Sequence, residues 1–378
     1  MAGISQWNIR GLKVGSNSFF KVRKCVLKLE DVQKTNILSI QETHLKTDDQ
    51  IPNKLKNFGH LYHILSTHAP ENDNGAGIIL FINKTEELIE QEELYPGRLL
   101  YAKIQNKVTS EIRNIFSFYA KSKATKIEIK NIMTTILNKV KNNNLSGIIL
   151  CGDFNFVTSL LDRNSSTFTS VDNNYRHEWG KIQLELELID CFRVTNPKRR
   201  YYTYTHTNGT SRARLDRIYV SKDLVGKILT NTIDYASESD HKIVNVSLGR
   251  NIEKGPGQWI FNNTLLKDDK FSDEIRAIIK DFVENKDDFG SKMVLWEFLK
   301  QNMASSSRNY ASKKAREERK KIDDVKKRIE ILESIPIEDT TPNLLHTIEN
   351  LKEVENNFTS KKNSRFFVKI KNSRSGKW

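Results

Sequence analysis

Asp153 and Asn155 stand two residues apart in CGDFN (151–155), at the end of an apolar run that begins at Ile148. Three more polar clusters follow strand-like runs: Glu42 in SIQETH (39–44), Asp216 in RLDRI (214–218), and Asp240 with His241 in SESDH (237–241). Asn8, in QWNIRG (6–11), lies within or just after the first such run. Several convergent carboxylates bind a hard cation such as Mg2+. A histidine beside carboxylates can be held in one tautomer, as a base or as a donor facing a phosphate. Singly, each cluster is weak: GDFN is equally a strand-to-turn boundary, QET a solvated turn, SDH a helix cap. The signal is their joint placement at strand ends, where a rigid sheet positions such groups and a loop exposes them. The sequence lacks G-x-x-x-x-G-K-[ST] and H-E-x-x-H, which argues against P-loop nucleotide hydrolysis and against a zinc protease.

Short apolar runs that could position these groups alternate with longer amphipathic ones. ISQWNI (4–9), NILSI (36–40), LYHIL (61–65), GIILFI (77–82), LLYAKI (99–104) and IRNIFSFY (112–119) read as strands. So do YTYTH (202–206), LDRIYV (215–220) and KIVNVSL (242–248). Apolar spacing of three and four predicts helices over 19–32, 126–140 and 175–190. The pattern predicts an α/β or α+β fold, with sheets sheathed by helices. Gly152 lets the backbone turn sharply or be approached closely before Asp153. On an extended backbone Asp153 and Asn155 point to one side and Phe154 into the core.

The 378 residues include 61 Lys and Arg against 47 Asp and Glu, a formal net charge of +14. Such an excess favours a polyanionic partner, nucleic acid before an anionic membrane. Three widely spaced cysteines, Cys25, Cys151 and Cys191, argue against a disulfide framework and a cysteine zinc site. No apolar leader is visible, and no uncharged apolar stretch approaches the roughly 18 residues of a membrane span. The expectation is a soluble intracellular protein with no membrane partner. At GPGQW (255–259) the composition suggests a hinge. Beyond it the patterns turn helical, and residues 301–378 carry 18 Lys and Arg against 11 Asp and Glu, a net +7. The sequence therefore predicts a catalytic-sized domain over 1–250. It predicts a basic, mainly helical extension over 251–378, outside the catalytic fold. Ile322, Val325, Ile329 and Leu332 lie three and four apart, so the run 308–333 fits both a solvated coiled-coil seam and direct nucleic-acid contact.

The order WN-x-RG (7–11), QETHL (41–45), FSFYA (116–120), GDFN (152–155), RLDRI (214–218) and SDH (239–241) resembles the endonuclease/exonuclease/phosphatase superfamily, over roughly residues 3–248. Within it the chain looks most like the apurinic-type endonuclease domain of LINE-type (non-LTR) retrotransposon polyproteins, on LDR (161–163), YTYTH and RLDRIYVS (214–221). The resemblance implies a four-layered sandwich of two mixed sheets flanked by helices, with the site at one end and a helical C-terminal extension after it. By motif it implies Glu42 as the main metal ligand, Asp240 supporting the metal side, Asn8 placing the metal or the phosphate, and Tyr119 facing the scissile phosphate. It implies that Asp153 activates the attacking water or protonates the leaving oxygen, and that Asn155 orients it. Asp216 would fix the tautomer of His241, which would touch a phosphate oxygen. Two positions depart from the pattern. Arg10 stands where some repair members carry a metal-binding Asp, and Lys121 follows YA where Pro is common.

The implied function is a Mg2+-dependent phosphodiester hydrolase that nicks DNA and leaves a 3′-OH, as in retrotransposon target-site cleavage. Mn2+ is the alternative ion. DNA is the implied partner, with RNA a second one through the basic extension and a reverse transcriptase region of a longer polyprotein a third. Nucleus and cytoplasm are the expected locations. Competing readings are an abasic-site repair endonuclease, a phosphatase acting on inositol phosphates or sphingomyelin, and an inactive retroelement fragment that only binds nucleic acid. The basic tail favours DNA over small phosphates. A competent residue at every motif position argues against a decayed site.

Overall fold

The computed structural model describes residues 2–12, 18–31, 35–71, 73, 75–122, 124–206, 209, 211–236, 238–249, 261–286, 291–335 and 341–355. The proposed hinge GPGQW lies outside the described residues. One sheet holds β1 (Ala2–Asn8), β2 (Ile37–Gln41), β3 (Tyr62–Thr67), β4 (Ile78–Asn83), β13 (Ile228–Asp234) and β14 (Ile243–Leu248), in the order β13-β14-β1-β2-β4-β3. The other holds β5 (Glu86–Tyr95), β6 (Leu99–Asn106), β7 (Ile112–Tyr119), β8 (Ile148–Asp153), β9 (Leu188–Asp190) and β12 (Asp216–Ser221), in the order β5-β6-β7-β8-β12-β9. β10 (Tyr204–Thr205) and β11 (Arg212–Ala213) form a separate short pair. Each large sheet is mixed: β1 runs parallel to β2 and β7 to β8, while their other neighbours are antiparallel.

Strand alternation explains where the site must form. Along β1 the residues facing the opposite sheet read Ile4, Gln6, Asn8, and in register with them β2 shows Ile37, Ser39, Gln41. In the other sheet β7 shows Ile115, Ser117, Tyr119 beside Ile149, Cys151, Asp153 of β8. Antiparallel β12 shows Val220, Ile218, Asp216 against the same β8 residues. These five strands thus step, two residues at a time, from an aliphatic layer to a polar one at the same end of the sandwich. The aliphatic end supplies the burial energy, on the order of 1.5–3 kcal/mol for each large side chain. Between the two ends, Ser39 Oγ and Ser117 Oγ bond across the sheets at 2.5 Å.

The outer faces are closed by helices. Val22, Cys25 and Leu29 of the helix Ser18–Glu30 cluster with Trp7, Leu38, Ile40 and Phe81 of the first sheet. The helices Lys126–Asn142 and Ser170–Glu185 place Ile132, Ile136, Trp179 and Ile182 in one cluster with Phe116, Phe118, Leu150 and Tyr219 of the second sheet. Each of these two helices begins with a reciprocal cap, Thr125 with Glu128 and Thr169 with Asp172, which satisfies the first free amides. Helix, sheet, sheet and helix make the four layers expected from the motifs.

Three local features differ from the sequence reading. The helix expected over 175–190 stops at Glu185. Glu187 takes a φ of 47°, and the chain leaves into the edge strand Leu188–Asp190. The edge strands Glu86–Tyr95 and Ile228–Asp234 have no counterpart among the runs that read as strands. The chain also divides differently from a single cut at residue 250: one compact unit joins Met1–Asn251 with Glu330–Asn356, and the other includes Ile252–Ile329. In the second unit Leu265, Phe271 and Ile275 form a small core with Phe261, Met303 and Tyr310. The helix Lys292–Glu333 is 42 residues long. Among the described residues no helix is long and apolar enough to cross a membrane.

Candidate active site

Gly152 and Asn155 together aim Asp153. β8 runs so close to β7 that a Cβ on Gly152 would lie 1.8 Å from the Phe118 carbonyl oxygen. Only glycine fits there. After Asp153 the chain does not stay extended, because Asn155 takes a φ of 53° in the left-handed region that asparagine tolerates. The carboxylate and carboxamide therefore converge through a turn, not through the strand alternation expected from sequence. The Asn155 amide donates to Asp153 Oδ1 at 2.8 Å, and Asn155 Nδ2 ties back to the Ala120 carbonyl at 2.6 Å. Asn8 Nδ2 donates to Asp153 Oδ2 at 2.7 Å. Phe154 turns the other way, fully buried against Phe118, Phe156, Trp179 and Tyr219.

His241 sits opposite. Its Nδ1 lies 2.7 Å from Asp216 Oδ2, which makes Nδ1–H the donor and fixes the ring. Asp216 is itself held: Gln6 Nε2 donates to its Oδ1 at 2.8 Å, and its amide donates to Thr203 Oγ1 at 3.0 Å. Trp7 Nε1 donates to the His241 carbonyl at 3.2 Å, and the His241 amide donates to Ser239 Oγ at 3.1 Å. His241 Nε2 stands 3.9 Å from Asp153 Oδ2, beyond hydrogen-bonding range. Ligand atoms of Asp153, Asp216 and His241 all lie within 4.8 Å of one another, and all three residues are buried. Burial disfavours the imidazolium, but the Asp216 and Asp153 carboxylates outweigh it and push His241 up to about 10. Burial raises Asp153 to about 7, against the pull of His241 and with the push of Asp216.

Glu42 and Tyr119 form a second pair. The Tyr119 hydroxyl donates to Glu42 Oε1, and the Arg98 guanidinium lies 4.5 Å from the Tyr119 ring centre. Burial, with Glu42 and Asp153 nearby, holds the Tyr119 phenol protonated far above its usual range. Asp240 is engaged by Arg10 Nη1 at 2.7 Å and stands outside the trio. Among the described non-glycine residues, positive φ occurs at seven positions, and four of them, Arg10, Glu42, His44 and Asn155, belong to or adjoin these motifs. Backbone strain concentrated in this way marks a built site. The ligand atoms that meet there are carboxylate oxygens and one imidazole nitrogen, and Cys151 points into the aliphatic layer, so no thiolate competes with the oxygens for a hard cation. Gln6, Thr203, Ser239 and Arg98 were not singled out from sequence. Gln6 shares a face with Asn8 in ISQWNI and Ser239 precedes Asp240, but Arg98 carried no signal.

A cavity of about 600 Å³ lies against this site, lined by Arg10, Lys21, Asp240, His241, Lys242 and Lys352 among others.

A family model described as Endonuclease/Exonuclease/phosphatase family matches residues 5–241. The chain is 23% identical over 276 residues to a Xenopus laevis protein named Transposon TX1 uncharacterized 149 kDa protein, a match that covers 72% of this chain. It spans only 20% of that protein's length. The AP endonuclease LMAP from Leishmania major superposes with a TM-score of 0.54 at 17% identity, covering 66% of this chain and 88% of its own. The 3′-5′ exonuclease NExo from Neisseria meningitidis gives 0.52 at 18% identity, covering 65% and 99%. At such identities the two structures speak for the fold alone.

Proposed function

The chain belongs to the endonuclease/exonuclease/phosphatase family, and from that premise we propose that it nicks DNA by hydrolysing a phosphodiester bond, leaving a 3′-OH. The observation that carries this reading is the meeting of Asp153 and His241, each anchored by separate partners, at the polar end of both sheets. Hydrolysis of a diester needs a positioned water, a stabilised phosphoryl charge and a relieved leaving oxygen. Asp153, raised to about 7, is poised near neutral pH to take the proton of the attacking water. Asn8 and Asn155 hold its carboxylate in one orientation. His241, protonated and braced by Asp216, offers Nε2–H to a non-bridging phosphate oxygen. Tyr119, kept as a phenol, would turn its one O–H from Glu42 to a second oxygen. Because the trio is buried, these charges act in a water-poor space, where each counts for more than in bulk solvent.

Glu42 and Asp240 would hold a divalent cation, Mg2+ or Mn2+. When bound, that ion polarises the phosphoryl group and stabilises the leaving 3′-oxygen. Arg10 places a fixed positive charge on Asp240, which supports a single-ion site. The net charge of +14 supports a nucleic-acid substrate. The transposon relative supports target-site nicking as the setting, within a longer polyprotein.

The test uses the full chain with supercoiled plasmid and Mg2+. Open circles should form, EDTA should stop them, and a polymerase should extend the nick without prior phosphatase treatment. Plasmid that stays supercoiled in both Mg2+ and Mn2+ would overturn the reading. Cleavage restricted to plasmid carrying abasic sites would favour the repair alternative.

A further inference from the structure

Glu330 and Glu333 hold the frame of the His241–Asp216 pair. Glu333, buried, accepts from Lys242 Nζ at 2.7 Å, and Lys242 directly follows His241. The Lys242 ammonium also lies 4.5 Å from the ring centre of Tyr201. Arg212, buried, donates to the Glu333 backbone carbonyl at 2.8 Å, and Arg199 pairs with Glu330. The second Glu333 oxygen pairs at 2.7 Å with Lys352, from the helix over 342–355.

These contacts reach three stretches that are knitted together. The Lys242 amide donates to the Thr203 carbonyl at 2.7 Å, and the Thr205 amide to the Asp240 carbonyl at 3.1 Å. Thr203 Oγ1 in turn takes the amides of Leu215 and Asp216 at 3.0 Å each. Residues 201–205 therefore lie between the stretch that carries His241 and the stretch that carries Asp216. The Glu333 carboxylate takes Lys242 of this frame and Lys352 of the following helix, while its backbone carbonyl takes Arg212. Nothing in the family match, which stops at residue 241, includes this segment.

We infer that Glu333 is a positioning residue: by clasping Lys242, and by seating its own segment on Arg212 and Lys352, it sets the orientation of His241 relative to Asp216. The kinetic part of this inference rests on the nuclease reading, whereas its spectroscopic part does not. A carboxylate that merely anchored the segment would leave the His241–Asp216 hydrogen bond alone.

The experiment follows the Nδ1–H resonance of His241 in full-length, histidine-labelled protein, assigned by its loss in His241→Gln, together with kcat and KM for plasmid nicking. Glu333→Gln keeps the shape and removes the charge. It should displace or broaden the resonance and lower kcat tenfold or more, with KM within threefold. Glu333→Asp keeps the charge and should return kcat to within threefold of wild type. A folded Glu333→Gln with wild-type resonance and wild-type kcat overturns the inference. If Glu333→Gln does not fold, Lys242→Met decides, because Glu333 then retains Lys352 and only the link to the His241 stretch is cut. A displaced resonance in Lys242→Met supports the inference, and an unchanged one overturns it. A wild-type chain that nicks no DNA would end the nuclease reading and leave the resonance to judge this one.

Discussion

His241 Nε2 and Asp153 Oδ2 are 3.9 Å apart, so neither consumes the other and both keep an atom for a ligand. Their roles are separable from binding. Asp153→Ala and His241→Ala should each lower the nicking rate roughly 100- to 10,000-fold, the range for a positioned acid or base. DNA affinity should stay within about threefold, since these groups act on the transition state. Single-turnover nicking beside a binding titration checks both halves, and a variant that nicks at the wild-type rate removes its residue from the mechanism. Glu42→Gln should keep the fold and raise the Mg2+ concentration for half-maximal rate about tenfold, because an amide is a poorer ligand for a hard cation. An unchanged Mg2+ titration takes Glu42 out of the ion's shell. Asn8, Glu42 and Asp153 stood out in sequence as polar residues at or just past the end of an apolar run, whereas Asp216 opens β12 and His241 precedes β14. Gln6 and Thr203 did not stand out, because their part is a contact with Asp216, 210 and 13 residues away, and nothing local announces it.

The strands that carry the site are central ones, and they were the readable ones. β1, β2, β7, β8 and β12 are buried almost throughout, so the apolar residues in their runs stand out. Of the four sheet edges, only β3 was found as a strand. β5 reads EELIEQEELY and β13 reads ILTNTID, because an edge strand exposes much of its length to water and carries charge or amides there. β9 was absorbed into the preceding helix. Within β8 the tolerance is smallest at Gly152. Gly152→Ala must push β8 off β7, which should cost about 3 kcal/mol or more and misplace Asp153. Urea melts and nicking rates check this, and a variant with unchanged midpoint and rate shows that the sheet can yield there. The Glu333 cluster makes a different element-scale prediction. Burial alone would raise Glu333, but Lys242 and Lys352 outweigh it and bring it down to about 2. A carboxyl lowered on folding stabilises above its unfolded value, near 4.5, and that stability fades as pH falls from there toward 2. Wild type should exceed Glu333→Gln by on the order of 3 kcal/mol at neutral pH, with the gap narrowing through that window. A gap independent of pH would mean that the charge contributes nothing.

For the molecule as a whole, the basic C-terminal third divides into two parts with different work. A chain cut at residue 250 would lose Glu333 and leave the buried Lys242 and Arg212 without these partners, so we expect it to be less stable than the full chain. That partition was hidden because Glu333 closes a run of charges, KKRIEILE (326–333), that reads as solvated surface. The DNA-contact proposal therefore belongs to the helix Lys292–Glu333 ahead of the clasp. Lys313, Arg316, Lys320 and Lys327 are exposed there, and no ion pair occupies them among the described residues. If all four meet phosphates, replacing them with glutamine should flatten the slope of log K against log salt by about 0.9 each on duplex DNA. Affinity should fall most at low salt, and the single-turnover rate at saturating protein should hold, since the catalytic residues are untouched. Binding of a short duplex at several salt concentrations, for wild type and the fourfold variant, separates this from the alternative. Equal slopes would mean that these cations only solvate the outside of a helix whose apolar seam, Ile322 to Leu332, packs on protein and not on nucleic acid.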